Sequence, residues 1–348
     1  MRKLASVQII KSVEPIKNAD FIELVHVLGW QCVAKKGEFK AGDYCVYFEI
    51  DSYLPIRPEF EFLRPSSYKN TELLGEGFRL KTQTFRGHIS QGLCLPMSIL
   101  DGTGCHGLPE GTDVTEILGI RKFEMPEMAM SGGTAIGELP GNVPRTDETR
   151  IQAMPELIGE FGHKPYYIST KIDGSSHSIS YDENGFHATG HSYEYKDDGK
   201  SGFYNLVKKL GLPEKLQKFY EENHISSIVI QGEYAGPGIQ KNRLKLKAPE
   251  WFVFDIRIDE HRLHFVNFLS VAKELGITTV PIEEVADDFI NHYPTVDALL
   301  ERADGLYPNG GKKEGIVIRP TLPVYSPLLG TDLSMKIVNN KYLLKHND

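Results

Sequence analysis

The sequence is poor in cysteine: four in 348 residues (Cys32, Cys45, Cys94 and Cys105), all in the first third, with no CxxC pair. That excludes a disulfide-built mini-protein. It also leaves no zinc framework, since Cys105 and His106 stand together without the second ligand pair such a site requires. Free thiols in a reducing compartment, cytoplasmic or nuclear, are the expectation. No apolar run approaches the ~20 residues that span a bilayer. The basic start MRKLASVQIIKSVEP is broken by Gln8 and Lys11 and has no small-residue cleavage site, so neither a membrane segment nor a signal peptide is expected. Internal repeats are lacking. Also missing is a basic excess: 39 Lys+Arg against 47 Asp+Glu leave a net charge of −8. Taken alone this speaks against a nucleic-acid partner, although net charge does not say where the charges sit.

What is present is an ordinary globular composition, 40% hydrophobic and 25% charged, at a length that suits two domains with a core each. From Leu4 to about Leu118 the pattern is strand-like. LASVQIIKSVEPI, FIELVHVLGWQCVAKKG, DYCVYFEIDSYLP, FRLKTQTFRG and ISQGLCLPMSIL are short β-branched or aromatic runs bounded by turn residues. They predict a small barrel or sandwich, and an OB-type barrel fits the length. Between Glu124 and Pro144, EMPEMAMSGGTAIGELPGNVP has no period and reads as a linker. Beyond it, SGFYNLVKKLGLPEKLQKFYEEN predicts two helices split at Gly211-Leu212-Pro213, and SSIVIQGEY, WFVFDIRI and EGIVIRP predict buried strands.

The chemistry-bearing residues begin in YYISTKIDGSSHSISY, where Lys171-Ile172-Asp173-Gly174 follows a strand. A lysine there can act as a nucleophile once desolvation or a nearby cation lowers its pKa. Asp173 can hold a cation, and Gly174 lets backbone approach closely. K-x-D-G alone arises by chance in roughly one chain in ten of this length, and a surface turn is its plainer meaning. It is followed, however, by Glu233 in QGEYAGPGIQ, Phe254 in WFVFDIRI, Glu314 in KKEGIVIRP and Lys336 in SMKIVNNKYLLK. A nucleophilic lysine, carboxylates beside apolar strands, an aromatic and a late lysine, in that order, are what nucleotide transfer needs: a nucleophile, metal-binding carboxylates, a base-stacking face and a cation on phosphate.

These stretches resemble the five-motif signature of the covalent nucleotidyltransferases, the superfamily of polynucleotide ligases and mRNA-capping guanylyltransferases. Only twelve residues follow Lys336, which leaves no room in this sequence for the OB domain that DNA ligases and capping enzymes place after that motif. RKLASVQIIKSVEPIKNADFIELVHVLGWQCVAKKGEFKAGDYCVYFEIDSYLP, RGHISQGLCLP and TDETRIQ closely resemble the ATP-dependent RNA ligases whose OB domain comes first, often numbered as the fifth RNA-ligase family. The likeness covers nearly the whole chain. It implies an α+β protein: an all-β OB-type barrel (1–122) that binds nucleic acid, a linker (123–145), and a mixed α/β nucleotidyltransferase domain (146–348), ATP-grasp-like, with antiparallel sheets.

Residue by residue, the resemblance makes Lys171 the adenylated nucleophile. It puts the backbone of Ser169 on the adenine amino group, Glu233 on the ribose and Phe254 against the base. Asp173 and Glu314 would organise a divalent metal, Mg or Mn. Lys336 would grip the α-phosphate, with Lys341 as the alternative, and Arg150 would contact nucleotide phosphates or a 5′-phosphate end. Where the family tends to show Ser-Arg-Asn, this chain has His191-Ser192-Tyr193, so only Ser192 is carried over as a nucleotide contact.

The implied reaction uses ATP to seal 5′-phosphate and 3′-hydroxyl RNA ends, at nicks in duplexes, through lysyl-AMP and an adenylylated 5′-end. A monomer acting on RNA, with no membrane partner, is expected. A DNA-end ligase, a GMP-transferring relative and an inactive nucleic-acid-binding adaptor are the alternatives. Lys35, Lys36, Lys40, Lys81 and Arg86 are candidate nucleic-acid contacts in the barrel. Local runs of cations answer the acidic total: IQKNRLKLK holds four and no acid, and KIVNNKYLLK three and none.

Overall fold

The alternating runs of the first third pair as antiparallel ladders. In the computed structural model, which describes residues 2–105, 107–123 and 133–345, Ala5–Ile9 pairs with Tyr44–Phe48 from Ala5↔Phe48 to Ile9↔Tyr44. Leu93–Pro96 pairs with the other edge of Tyr44–Phe48. Both faces of that central strand are covered. Val46 and Phe48 pack with Val7, Leu54, Phe60 and Phe78, whereas Cys45 and Tyr47 pack with Val25, Trp30, Cys32 and Cys94. A strand buried on both sides needs a near-continuous apolar run, which is why YCVYF shows no polar alternation. Further pairs join Ser12–Pro15, Ile22–Val27 and Trp30–Lys35, and join Ser52–Leu54, Tyr68–Thr71, Gly75–Arg79 and Arg121–Lys122. Among the described residues this compact unit comprises 2–123, 151–155 and 343–345.

The second unit, 133–150 and 156–342, is built on two antiparallel sheets. The larger has seven strands in the order Ala135–Glu138, Tyr193–Tyr195, Gly185–Thr189, Ser175–Asp182, Ile228–Ala235, Glu250–Ile258 and His261–Arg262. The smaller has four, Ile282–Ala286, Tyr166–Lys171, Gly315–Pro320 and Met335–Val338. Helices Gly202–Lys209 and Leu212–Asn223 form where the sequence predicts them. The first is capped by Ser201, whose side chain accepts from Tyr204 N, and the second starts after Gly211, which sits at φ +67°. With Phe265–Leu275 they bury Phe203, Val207, Leu212, Leu216, Phe219, Phe268 and Ala272 against Ile179, Ile230, Trp251 and Val253 of the larger sheet. Each large apolar side chain so buried contributes about 1.5–3 kcal/mol.

The stretch read as a linker departs from that reading where it is described. Ala135–Glu138 is an edge strand, paired with Tyr193–Tyr195 through a register shift at Ala135/Gly137. An edge strand with a bulge and a glycine carries no regular alternation, so its sequence looks like a connection; 124–132, like His106, lie outside the described residues. Among the described residues no helix is long and apolar enough to cross a membrane.

Candidate active site

The strand Tyr166–Lys171 ends the smaller sheet's central ladder and, after Ile172-Asp173-Gly174, the chain enters the larger sheet at Ser175. Lys171 and Asp173 therefore stand where the backbone changes sheets. The crossing requires glycine: a Cβ on Gly174 would lie 2.4 Å from the Tyr234 carbonyl oxygen and 3.0 Å from Glu233 Cγ. On the smaller sheet the register aligns Ser169 with Val317 and Val317 with Lys336, and aligns Lys171 with Gly315. Because side chains alternate every residue, Ser169 and Lys171 share one face. Thr149 O accepts from Lys336 N at 2.8 Å, and Arg150 bridges beside Lys336, so 149–150 run along that edge.

On the larger sheet Ser176 stands opposite Glu233, and Glu233 opposite Phe252. The next rungs are Gly232↔Val253 and Gln231↔Asp255, which leaves Phe254 as the extra residue of a bulge. A bulge re-aims a side chain out of the regular alternation. Phe254 lines a cavity of about 160 Å³ with Ser169, Thr170, Lys171, Ser176, Glu233, Val317, Arg319 and Lys336, closed further by Thr146–Glu148 and His191. Arg319, only 2% exposed, donates from Nη1 to Phe254 O at 3.0 Å and from Nη2 to Glu148 Oε1 at 2.5 Å. Its guanidinium carbon lies 5.7 Å from the Phe254 ring centre. Burial works against both charges of the Arg319–Glu148 pair, yet their attraction wins: Arg319 is held above and Glu148 below the ordinary range.

Around the lysine the charges compensate one another within the chain. Lys171 Nζ lies 2.9 Å from Glu314 Oε1. Asp173 Oδ2 accepts from Arg243 Nη1 at 2.6 Å. Tyr307 OH donates to Lys171 O at 2.8 Å and accepts from Glu314 N at 3.1 Å, fixing the nucleophile candidate to its partner through one hydroxyl. Burial pulls the Lys171 ammonium down, but Glu314, Glu233 and Asp173 together outweigh it and hold the amine above its ordinary pKa. This differs from the expectation of a lowered value, because three carboxylates act on the amine. Glu233 is pushed up to about 8, first by burial and then by Glu314 and Asp173, against the pull of Lys171.

That surplus of negative charge tests the site for a metal. Among the described residues no three His, Cys, Asp or Glu groups converge closely enough to hold an ion by themselves. Oxygen donors from Asp173, Glu233 and Glu314, the first and last of which oppose ionisation of Glu233, nevertheless suit a hard divalent cation sharing its shell with water and phosphate.

Of the sequence candidates, Ser169, Lys171, Glu233, Phe254 and Lys336 line one cavity, and Glu314 joins them through its ion pair. Asp173 is tied up by Arg243 outside the lining. Arg150 reaches the site by its backbone bridge to Lys336 and is not among the lining residues. Ser192 lines a separate cavity with Arg145 and Tyr193, and its neighbour His191 lines the first. Lys341 lies on the helix Asn340–Lys345, paired with Asp304. Sequence reasoning missed Glu148, Arg319, Tyr307 and Arg243. The alternation Gly315-Val317-Arg319 already puts the arginine on the lysine face, but the long-range partners leave no local mark.

Comparison with known proteins follows the same division. A family model described as RNA ligase matches residues 164–338, and one described as OB-fold domain matches residues 4–97. No curated protein matches the sequence. Among solved structures, the RNA ligase of Naegleria gruberi with PPi is 33% identical with a TM-score of 0.89, covering 100% of both chains. A mutant of that ligase with ATP and Mn is 33% identical at TM-score 0.88, and another with AMP and Mn 32% identical at 0.88, each covering 100% of both chains. These matches bear out the expected architecture of an N-terminal OB fold followed by a ligase domain.

Proposed function

The chain belongs to the RNA ligase family, and from that membership we propose an ATP-dependent enzyme that seals 5′-phosphate and 3′-hydroxyl RNA ends at nicks, with Lys171 as the nucleophile. The carrying observation is the convergence of Lys171, Glu314, Glu233, Ser169, Phe254 and Lys336, from two sheets, on one cavity. In the first step Lys171 Nζ attacks the α-phosphorus of ATP. A nitrogen–phosphorus bond forms, the bond to the β-phosphate oxygen breaks, pyrophosphate leaves and the amine gives up a proton. AMP then passes to an oxygen of the RNA 5′-phosphate, and the lysine regains its proton. Finally the 3′-hydroxyl attacks that phosphate and AMP leaves.

Phe254, carried out of register by its bulge and braced by Arg319, supplies the stacking face for adenine. Ser169 reads the base and Glu233 the ribose, while Lys336 meets charge developing on the α-phosphate. Arg150, held beside Lys336, serves the nucleotide phosphates or the 5′-phosphate end, and Ser192 the nucleotide from the neighbouring cavity. Asp173 and Glu314 would hold a divalent ion, Mg or Mn, which would supply positive charge for the phosphates and offset the field that keeps Lys171 protonated.

The barrel, residues 1–122, holds the RNA, and 146–348 carry out the transfers. Lys69, Arg79 and Lys81 support this reading. Burial, and after it Arg79 and Lys69, hold the Lys81 ammonium below its ordinary pKa, so three cations gather at this place on the barrel. Arg79 lies 4.2 Å over the Phe123 ring. Lys35, Lys36, Lys40 and Arg86 are exposed on the same unit. Four free thiols suit a cytoplasmic or nuclear protein, and the enzyme acts as a monomer in this reading.

Incubation with α-labelled ATP tests the core of the reading. Wild type becomes covalently labelled and Lys171→Ala does not, whereas labelled GTP gives no adduct. A labelled Lys171→Ala protein would remove Lys171 as nucleophile.

A further inference from the structure

Lys171 and Arg243 divide the carboxylates between them. Lys171 takes Glu314, a pairing that fits a nucleophile awaiting activation, but nothing in the transfer steps above uses Arg243. Its placement is nevertheless built rather than incidental. The loop that carries it turns on three residues in the left-handed region, Gln240, Asn242 and Lys245, at φ +45°, +44° and +54°. Asn242 closes the loop on itself, accepting from Leu246 N and donating to Leu246 O, both at 3.0 Å. Leu244 and Leu246 pack against the cluster of Ile172, Ala235, Phe252, Val280 and Tyr307. Asn309 Nδ2 donates to the Arg243 carbonyl at 2.8 Å. From this anchored backbone the guanidinium reaches Asp173, donates also to Tyr342 OH, and lies 4.9 Å from the Tyr342 ring centre. The side chains of Arg243 and Asp173 are 14% and 10% exposed.

We propose that Arg243 competes with the divalent cation for Asp173 and, once displaced, binds the nucleotide's phosphates. An arginine cannot leave an ion pair by losing its charge, so a cation takes Asp173 Oδ2 only if the guanidinium moves. The Tyr342 ring face, against which it already lies, gives it a second seat. The displaced group remains on a loop that also carries Lys241, Lys245 and Lys247, where the fitting partner is an anion, and a planar fork suits phosphate oxygens. Cation and nucleotide thus bind co-operatively: each supplies what Arg243 or Asp173 loses when the pair opens. This inference rests on reading Asp173 and Glu314 as the carboxylates that hold the ion.

Two titrations of the full chain give effects of opposite sign, which damage to the fold does not produce. With Mn2+ alone, followed by the electron paramagnetic resonance of the free ion, Arg243→Met binds at least tenfold tighter than wild type. Arg243→Lys, which keeps a charge, stays within about threefold. With α,β-methylene-ATP at saturating Mn2+, followed by calorimetry, Arg243→Met binds at least tenfold weaker than wild type. The gain in Mn2+ affinity disappears in the Arg243→Met/Asp173→Asn double variant.

An Arg243→Met protein with an unchanged thermal melt that binds Mn2+ no tighter would overturn the competition, and unchanged analogue affinity would overturn the phosphate contact. Tyr342→Phe, which removes a partner of Arg243 and retains the charge, is the second probe. It tightens Mn2+ two- to threefold, and no change counts against the exchange. If Asp173→Asn and Glu314→Gln leave Mn2+ binding untouched in every background, the cation reading itself fails and the exchange falls with it. If Asp173→Asn weakens Mn2+ while Arg243→Met does not tighten it, the exchange alone fails.

Discussion

Glu233 shows how a single buried residue couples the site to pH. Its carboxyl ionises near 4.5 in an unfolded chain and is pushed up to about 8 in the fold, because burial and the Glu314 and Asp173 charges oppose ionisation. Between those values the folded protein binds the extra proton. The stabilisation from the neutral carboxyl is therefore complete below pH 4.5 and is lost as pH rises through about 8. Glu233→Gln, neutral at every pH, is expected to escape that loss. Its thermal midpoint should exceed that of wild type at pH 8.5 and match it near pH 5. Parallel midpoint-versus-pH curves for the two proteins would show that Glu233 is already ionised in the fold. The identity of this residue was legible from its place after the apolar run SSIVIQ. Its proton affinity was not, because two of the carboxylates that set it, Asp173 and Glu314, lie 60 and 81 positions away.

At the scale of elements, the site depends on two irregularities in otherwise regular strands. One is the bulge that leaves Phe254 unpaired between Gly232↔Val253 and Gln231↔Asp255. The other is the passage between sheets at Asp173-Gly174, where the backbone comes within contact of Tyr234. WFVFDIRI announces a strand, but a bulge is a mismatch between two strands and cannot be read from either alone. The glycine after Asp173 was visible, and the close approach of Glu233 and Tyr234 supplies its reason. Gly174→Ala forces a methyl group into a carbonyl oxygen at 2.4 Å. Overpacking of this kind costs about 1–3 kcal/mol, and the backbone shift carries Asp173 and Lys171 with it. Urea melts should register the loss of stability, and covalent labelling from α-labelled ATP should fall at least tenfold. Full labelling in a destabilised Gly174→Ala protein would show that the crossing serves stability without serving the lysine.

For the whole molecule, the acidic total proved a poor guide to the partner. A chain at −8 belongs to a family that works on RNA, and charge acts locally: Glu233, Glu314 and Asp173 gather about Lys171 while further lysines and arginines stand on the barrel. In the barrel, burial and then Arg79 and Lys69 hold the Lys81 ammonium below its ordinary pKa, and these three cations are expected to meet phosphates. Each phosphate neutralised steepens the salt dependence of log K by about 0.7–0.9. Replacing all three with alanine should make that slope shallower by about 2–3 for a nicked RNA duplex, while lysyl-AMP formation without RNA is retained. An unchanged slope would place the RNA contact elsewhere on the barrel.

The sequence by itself determined the elements and the chemistry they carry. Its alternating runs specified the strands, Gly211-Leu212-Pro213 specified the break between helices, and the ordered Lys171, Glu233, Phe254, Glu314 and Lys336 specified the reaction class, because each is a local choice of side chain and period. Only the tertiary structure decided the relations among them. It put Lys171 on Glu314 and Asp173 on Arg243, gave His191 to one cavity and Ser192 to its neighbour, and turned part of a supposed linker into an edge strand. Those outcomes rest on contacts between residues tens to hundreds of positions apart. In the low dielectric of a packed site, such contacts outweigh any preference a short stretch of chain can express on its own.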